Sequence, residues 1–361
     1  MLNSLVSFIN AQHIPLRPEA WTVAAESAVF EKFKGVQSIY VRQGYAQPKA
    51  VDDFITGVIE YDIWVEARRG FPGVRFRIAD DANWEEFYIR PHQSGNPDAN
   101  QYTPVFNGVA GWQTYYGAPN AAAYNYKIND WNRIKLVIAD DAMEVYINDM
   151  NQPLLFIPDL ERQAISSPIQ LYAGGPSGFR FANLSVERSS SVSLKNRKRS
   201  NQPVAEDLIT QWEVSESFEL NQFLQDNRFD FKKANGLSWK SLKVTSRGHV
   251  NLSEWALLND KNNTSIARIA LNSEKAQIKK LTYGFSDKVL IFVNGKIVHG
   301  GNDAFRTRDY RFLGTIGYFD DIYLDLKPGR NEIWFVVTEE MGGWAVKAKL
   351  QDLNAVEFVE Y

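Results

Sequence analysis

Three stretches decide the fold: FITGVIEYDIWVE at 54–66, GVRFRIA at 73–79 and EEFYIRPH at 85–92. Each alternates, with a period of two, between aliphatic side chains and charged or aromatic ones. A β-strand points successive side chains to opposite faces, so this alternation predicts an antiparallel sheet with one buried face. We expect the buried face to hold Ile55, Ile59, Tyr61, Ile63, Val65, Val74, Phe76, Ile78, Phe87 and Ile89.

The opposite face of these strands is dense in charge and aromatic rings. It holds Glu60, Asp62, Trp64, Glu66, Arg75, Arg77, Glu86, Tyr88, Arg90 and His92. Rings stack on the apolar faces of sugars, and planar polar side chains bind sugar hydroxyls, so a sugar is the first choice of ligand for this face. An interface with the second domain or with another subunit is the alternative.

Residues that follow the third stretch extend the predicted site. The loop QSGNPDANQY at 93–102 is polar and rich in amides, and loops beside a rigid scaffold often carry function. The predicted ligand-binding residues are Trp64, Arg75, Arg77, Tyr88, Arg90, His92, Gln101, Tyr102, Asn107, Trp112 and Tyr116.

Composition narrows the function classes. The chain has 361 residues, enough for two domains, and its 44% apolar and 23% charged residues are typical of a soluble globular protein. A net charge of −3 gives no general attraction to nucleic acid or anionic membranes. The absence of cysteine excludes disulfides, a thiol nucleophile and cysteine metal sites. No apolar run approaches the roughly 18 residues of a membrane span.

Strand-like segments separated by Gly, Pro, Asn and Asp recur along the whole chain, which predicts an all-β protein. The segment SSSVSLKNRKRSNQPV at 189–204 has no core-forming pattern, so we predict a linker there between domains at 1–188 and 205–361. Its basic run Lys195–Arg199 is interpreted as solvated linker rather than as a nucleic-acid patch. In the second domain, Asn294-Gly295 predicts a hairpin between 289–293 and 296–299.

Both parts of the chain resemble known β-sandwich families. The first resembles concanavalin A-like lectin/glucanase sandwiches over 21–187, through GVIEYDIW from Gly57, FYIRPH from Phe87 and GWQTYY from Gly111. The second resembles galactose-binding-like jelly rolls over 209–352, through GHVNL from Gly248 and GGW from Gly342. The resemblance implies a concanavalin A-like β-sandwich followed by a jelly-roll β-sandwich. Lectins, hydrolases and non-catalytic modules share the first fold, which therefore does not choose among them.

Candidate catalytic carboxylates are Glu60, Asp62 and Glu86. Glycoside hydrolysis needs two carboxyl groups, about 5 to 5.5 Å apart in retaining enzymes. Laminarinase-type hydrolases of the family that the first part resembles carry E-x-D-x-x-E on one strand, whereas this chain has one residue more between Asp62 and Glu66. The competing interpretation is a charge ladder of Glu60 and Asp62 with Arg75 and Arg77 across neighbouring strands.

The leading hypothesis is non-catalytic recognition of a glycan, which could be acidic. The alternative is a glycoside hydrolase or a polysaccharide lyase; a lyase would need a Tyr or His base and an Arg to neutralise a uronate carboxylate. A structural protein–protein adaptor is a further alternative. No cofactor or metal is expected, and a structural calcium in either sandwich has no motif to support it. Met1–Asn10 lacks a basic residue before its short apolar run, which predicts a cytoplasmic protein, or an exported one if the sequence is trimmed.

Overall fold

The computed structural model describes residues 11–196, 205, 207–225 and 228–361. In this part of the chain, helix is confined to α1 (Phe231–Asn235) and to 3-10 turns at Pro18–Ala20, Pro91–Gln93, Leu220–Phe223 and Leu252–Glu254. None of these helices is long and apolar enough to cross a membrane. Residues 1–10, which carry the prediction of cellular location, and 197–204 of the predicted linker lie outside the described residues.

The chain forms two compact units. One contains residues 1–104 and 116–200, and the other contains 105–115 and 201–361. The sequence predicted a boundary only at 189–204, so the grouping of 105–115 with the second unit was not anticipated.

The strands up to residue 188 form one antiparallel sheet in the order β11-β10-β9-β4-β13-β3-β12-β5-β6-β7-β8, with β1 on β13 and β2 on β3. Their bounds are β1 (Gln12–His13), β2 (Trp21–Phe33), β3 (Val36–Pro48), β4 (Gly57–Val65), β5 (Phe71–Asp80), β6 (Asn83–Ile89), β7 (Asn100–Phe106), β8 (Val109–Ala110), β9 (Asp130–Ile138), β10 (Met143–Ile147), β11 (Leu155–Ile157), β12 (Gln170–Gly174) and β13 (Phe179–Arg188).

Strand β3 divides this sheet into two layers. One edge of β3 pairs with β2 along its length, whereas the other pairs with β13 at residues 38–41 and with β12 at 44–46. At the start of the second segment Gly44 has a φ of 142°, and a Cβ there would lie 2.2 Å from the Ala24 carbonyl oxygen, so only glycine fits the bend. Layer A therefore comprises β13, β4, β9, β10 and β11, and layer B comprises β12, β5, β6 and β7.

The core of the first unit lies between layers A and B. It buries the predicted aliphatic residues of β4 together with those of β5 and β6: Ile59, Tyr61, Ile63, Val65, Val74, Phe76, Phe87 and Ile89. Burying a side chain of this size stabilises the fold by about 1.5–3 kcal/mol. The prediction was wrong for Ile55, which is 43% exposed because β4 begins only at Gly57.

Among its described residues, the second unit contains three further sheets, the smallest of which pairs β15 with β16. Layer C has the order β17-β14-β19-β24-β21-β22 with β26 on β19, and layer D has the order β18-β25-β20-β23. The bounds are β14 (Gln211–Ser215), β15 (Leu224–Gln225), β16 (Arg228–Phe229), β17 (Trp239–Lys243), β18 (Val250–Asn251), β19 (Thr264–Ser273), β20 (Gln277–Ser286), β21 (Lys288–Val293), β22 (Lys296–Asn302), β23 (Asp320–Leu326), β24 (Gly329–Thr338), β25 (Ala345–Leu350) and β26 (Val356–Val359).

The Asn294-Gly295 turn is confirmed. Val293 pairs with Lys296, and both turn residues have positive φ angles, 50° and 77°, as the predicted hairpin turn requires. Strands from layers C and D contribute to one apolar cluster, and a smaller cluster around Phe229 and Trp334 also involves α1. The described strands thus form two antiparallel sandwiches and the short β15–β16 pair, and the predicted all-β class is confirmed.

Candidate functional site

Two rows of side chains cross the strands of layer B on the face away from the core. The strand register places Tyr45, Tyr172, Gly73 and Tyr88 in the first row. It places Gln170, Arg75 and Glu86 in the second row, which Gln47 extends by accepting a 3.1 Å hydrogen bond from Gln170. We call these two rows, together with Trp84, Arg90 and Gln101, the polar face.

Gly73 sits in the middle of the first row. A Cβ at this position would lie 2.0 Å from the Phe87 carbonyl oxygen and 2.7 Å from the Tyr88 Cα, so any larger residue would push β5 away from β6. The missing side chain also leaves a gap in the row between Tyr88 and Tyr172. Glycine is therefore needed here for the close approach of two strands.

Arg75 occupies the centre of the second row. Its guanidinium carbon lies 4.2 Å from the ring centroid of Trp84 and 4.6 Å from that of Tyr172. Its Nε lies 3.6 Å from Oε2 of Glu86, which also accepts a 2.8 Å hydrogen bond from Trp84 Nε1. Two rings and one carboxylate thus hold a planar cation in one orientation on the sheet.

Glu86 is almost fully buried on this face. Burial raises the pKa of its carboxyl group, and the neighbouring charge of Arg75 opposes that rise. A carboxyl group with a raised pKa exchanges its proton nearer to neutral pH than an exposed glutamate does.

Arg90 lies beside the first row, among Tyr88 and Gln101. It donates hydrogen bonds of 2.8 Å to the Tyr88 hydroxyl, 2.6 Å to Gln101 Oε1 and 2.9 Å to the Asp98 carbonyl oxygen. These three side chains are at most 5% exposed, so they form the floor of the face, whereas Trp84 and Arg75 remain half-buried.

His92 and the tyrosines differ in their protonation. Burial, together with the charges of Arg69 and Arg90, lowers the pKa of His92, which favours a neutral imidazole near pH 7. Burial raises the pKa of Tyr88, so its phenol keeps its proton. Burial and the Asp98 carboxylate also raise the pKa of Tyr116. Of His92, Tyr88 and Tyr116, the histidine is the group suited to accept a proton.

The structure brings together a subset of the predicted ligand-binding residues: Arg75, Tyr88, Arg90, His92, Gln101 and Tyr116. Sequence reasoning missed Trp84, Gln170 and Tyr172. Trp84 was detectable, since it lies two residues before Glu86 in the same alternation. The other two lie on β12, whose pairing with β5 could not be deduced from the sequence.

Arg77 and Tyr102 do not lie on the polar face. Arg77 has a φ of 50° at a register shift in β5, and its side chain is 1% exposed, so its placement beside Arg75 was wrong. Arg77 Nη1 lies 3.5 Å from Oε2 of Glu85. The other oxygen of this carboxylate, Oε1, accepts a 2.7 Å hydrogen bond from the hydroxyl of Tyr102. Both side chains stabilise the interior rather than line the site.

Glu60, Asp62 and Trp64 lie on layer A, away from the polar face. Strands β13, β3 and β12 lie between β4 and β5 in the sheet. Four strand spacings of about 4.8 Å, roughly 19 Å along the sheet, therefore separate these three residues on β4 from the arginines on β5. The predicted ladder with Arg75 and Arg77 is therefore wrong. Both carboxylates pair instead with Arg133. Its Nη1 lies 3.3 Å from Glu60 Oε1, and its Nε lies 2.9 Å from Asp62 Oδ1.

The environments of Asp62 and Trp64 are those of structural residues. Besides its contact with Arg133, Asp62 accepts a hydrogen bond of 2.6 Å from Asn183 Nδ2. Trp64 packs edge-on against Phe33 and Trp131, with ring centroids 5.0 and 5.6 Å away. The strand therefore presents an ion-pair network and an aromatic cluster on this face.

Asn107 and Trp112 belong to the second unit. Asn107 donates a 2.8 Å hydrogen bond to the Ser253 carbonyl oxygen, and the Trp112 ring lies 6.4 Å from that of Phe305. The stretch from Gly111 to Tyr116, part of the family resemblance, forms turns. These two residues thus fall in a different unit from the residues on β5 and β6, with which they were predicted to lie.

Among the described residues, no three His, Asp or Glu side chains are close enough together to hold a metal ion. A structural calcium therefore stays a prediction without a candidate site.

No protein-family model and no curated protein matches the chain. Among solved structures, it is similar to the carbohydrate-binding module CBM66 from Bacillus subtilis, with 16% identity, a TM-score of 0.36, and coverage of 46% of this chain and 95% of the module. It is also similar to a β-glucanase from Bacillus licheniformis, with 10% identity, a TM-score of 0.36, and coverage of 50% and 98%. A galectin-like protein of unknown function from Bacillus subtilis has 12% identity, a TM-score of 0.37, and coverage of 49% and 94%.

Proposed function

We propose that the protein binds a glycan on the polar face of layer B. The observation that supports this most directly is the arrangement around Arg75, where two rings and a carboxylate orient the guanidinium in a row with Gln170 and Gln47. Planar donors and acceptors held beside aromatic rings are suited to ring hydroxyls and to the apolar face of a sugar. Since their orientation is already fixed, little entropy would be lost on binding.

The charges around the polar face favour an acidic glycan. Arg69, Arg75 and Arg90 contribute positive charge to this face, and Glu86 and Asp98 contribute negative charge. The raised pKa of Glu86 weakens its negative charge further. A uronate carboxylate would therefore meet a net positive field, which strengthens binding at low ionic strength.

A glycan array with neutral and acidic polysaccharides tests the proposal, followed by calorimetric titration of the best ligand. We expect Arg75→Ala and Trp84→Ala each to weaken binding about tenfold or more, which corresponds to about 1.4 kcal/mol. Arg133→Ala is the matched control, since this arginine is on layer A and pairs with Glu60 and Asp62. The proposal fails if no glycan binds, or if both polar-face variants bind as tightly as the control.

A second candidate is a glycoside-active enzyme centred on Glu86. Its support is the buried Glu86 carboxyl group, whose pKa is raised, together with the imidazole of His92, whose pKa is lowered by burial and by the charges of Arg69 and Arg90. Glu86 is the single carboxylate in the two rows, so this chemistry resembles proton abstraction from a uronate more than hydrolysis by a carboxylate pair. Incubation with the best-binding polysaccharide would then release unsaturated products, and Glu86→Gln and His92→Ala would abolish them.

Binding without products, lost in the two polar-face variants, favours recognition alone. Products that disappear with Glu86→Gln would favour the enzyme. A protein that binds none of the glycans would leave the structural adaptor as the better account.

A further inference from the structure

A cleft of about 400 Å³ opens in the second unit beside strand β19. Strands β14 and β26 pair with the same edge of β19, β14 at residues 267 and 268 and β26 at 270–273. The cleft lies where these two strands end. Polar and aromatic residues line it, among them Gln211, Glu213, Ser241, Arg268 and Tyr361. We call it the Arg268 cleft.

The strand register builds one wall of this cleft. Ser241 pairs with Glu213, and Glu213 pairs with Arg268, so the three side chains form a row on one face of layer C. Directly opposed residues on neighbouring strands have Cβ atoms about 4.5–5.5 Å apart. A hydroxyl, a carboxylate and a guanidinium therefore stand side by side.

Arg268 is held firmly within this row. Its guanidinium carbon lies 3.5 Å from the ring centroid of Trp239 and 3.9 Å from that of Tyr361. The residue is 9% exposed, and burial lowers its pKa. Two rings thus fix a buried cation at the wall of an open cleft.

The hydrogen bonding of Arg268 is incomplete. One terminal nitrogen donates a 2.9 Å hydrogen bond to the neutral Asn235 Oδ1, and the buried Nε has no acceptor. In the described part of the chain no carboxylate forms an ion pair with Arg268, whereas Arg75 and Arg77 each pair with one carboxylate and Arg133 pairs with two. The charges of Glu213 and Glu332 act on Arg268 without a direct ion pair. A buried cation with unfilled hydrogen-bond positions is costly, and an anionic ligand that accepts from it would reduce that cost.

We propose that the Arg268 cleft binds the carboxylate of an acidic sugar. The guanidinium fork matches a planar carboxylate better than it matches a point charge. Glu213, next in the row, would accept hydrogen bonds from ring hydroxyls and would repel a second anionic group. A uronic acid offers one carboxylate and several hydroxyls, whereas an inorganic anion offers Glu213 little or nothing to bind.

This site is separate from the polar face, since every lining residue belongs to the second unit. It does not depend on the function proposed for the polar face. The volume of the cleft is within the range of small-molecule sites, about 300–1,000 Å³, and suits a single sugar or a short terminal segment.

Calorimetric titration of the full chain tests the proposal with three probes: galacturonate, glucose and inorganic phosphate. We expect galacturonate to bind at least tenfold more tightly than glucose. Arg268→Lys keeps the charge but loses the fork, and should weaken galacturonate binding about tenfold. Arg330→Gln is the matched control, because Arg330 also stacks on Tyr361, at 4.9 Å, but pairs with Glu332.

Glu213→Gln provides a second test should Arg268→Lys fold poorly, as shown by its thermal transition. This change removes the charge that repels anions and weakens the acceptor for hydroxyls, so phosphate should bind more tightly relative to galacturonate. Absence of galacturonate binding overturns the proposal, as does binding that both variants retain. Galacturonate binding that is lost with Arg75→Ala but kept in Arg268→Lys would place the uronate on the polar face. That result would also overturn the proposal for the Arg268 cleft.

Discussion

Two arginine–glutamate pairs join the same neighbouring strands, β5 and β6, in opposite environments. Arg75 and Glu86 lie on the outer face, with side chains 21% and 8% exposed. Arg77 and Glu85 lie on the core side, with side chains 1% and 0% exposed. Two arginines that are two positions apart on one strand can therefore lie on the outer face or in the interior. The backbone conformation between them determines which.

The difference arises in β5. The register with β6 shifts after Phe76, and Arg77 has a φ of 50°, so the alternation of side chains is broken at this residue. The turned side chain then donates hydrogen bonds to the carbonyl oxygens of Ala139, Asp140 and Arg162. Arg77 thus ties β5 to the turn that follows β9, and the outer pair remains the more accessible of the two.

Arg77→Met should give the largest effect. It leaves Glu85 buried without its cation and three carbonyl oxygens without their donor, so we expect the free energy of unfolding to fall by about 3–5 kcal/mol. Urea denaturation followed by circular dichroism measures it. Arg75→Met is the control of equal size on the outer face, and equal losses in the two variants would contradict the comparison.

In the second unit, the carboxyl group of Glu339 is buried close to another acidic group instead of to an arginine. It is 1% exposed and accepts a hydrogen bond from the Gly343 backbone N–H, and burial with the nearby Asp287 charge raises its pKa to about 8. The folded state therefore binds this proton more tightly than the unfolded chain, whose glutamate pKa is about 4.5. Stability from this group is present below pH 4.5 and is lost as the pH rises to about 8.

Glu339→Gln should flatten that pH dependence, because the amide does not titrate. One unit of pKa shift corresponds to about 1.4 kcal/mol, so the loss in the unaltered protein should reach a few kcal/mol. Unfolding free energies at several pH values between 4.5 and 8 measure it. If the unfolding free energy of the variant depends on pH as steeply as that of the unaltered protein, groups other than Glu339 cause the dependence.

Arg75→Ala should have the smallest effect on stability. Its partner Glu86 can take up a proton and keeps the hydrogen bond from Trp84, so we expect a loss of about 1 kcal/mol or less. The same variant should lose most of its glycan binding, which calorimetry measures. A large loss of stability with unchanged binding would instead assign Arg75 a structural role like that of Arg77.

The sequence predicted those parts of the fold that depend on local pattern. Alternation in β4 correctly placed Ile59, Tyr61, Ile63 and Val65 in the core, and Asn294-Gly295 correctly marked a hairpin turn. These succeed because the period of side chains along a strand and the φ angles of a turn are set by neighbouring residues.

The candidate site was predicted only in part. Arg75, Glu86 and Tyr88 were correctly placed on one face, because they lie on strands adjacent in both sequence and sheet. Glu60, Asp62 and Trp64 were grouped with them wrongly, because the order of strands depends on pairings between residues far apart in the chain. Alternation predicts the face of a strand on which a residue lies, but it does not predict which other strand pairs with that strand.

By itself, the sequence determined the all-β class and the composition of the aliphatic core, since both follow from local periodicity and hydrophobic burial. The tertiary structure alone decided that Arg77 turns inward, that β12 brings Tyr172 to Arg75, and that Arg268 meets Trp239 and Tyr361. Each of these depends on a bulge or on a long-range strand pairing. Such features are selected by the packing of the whole fold, and no short stretch of residues specifies them.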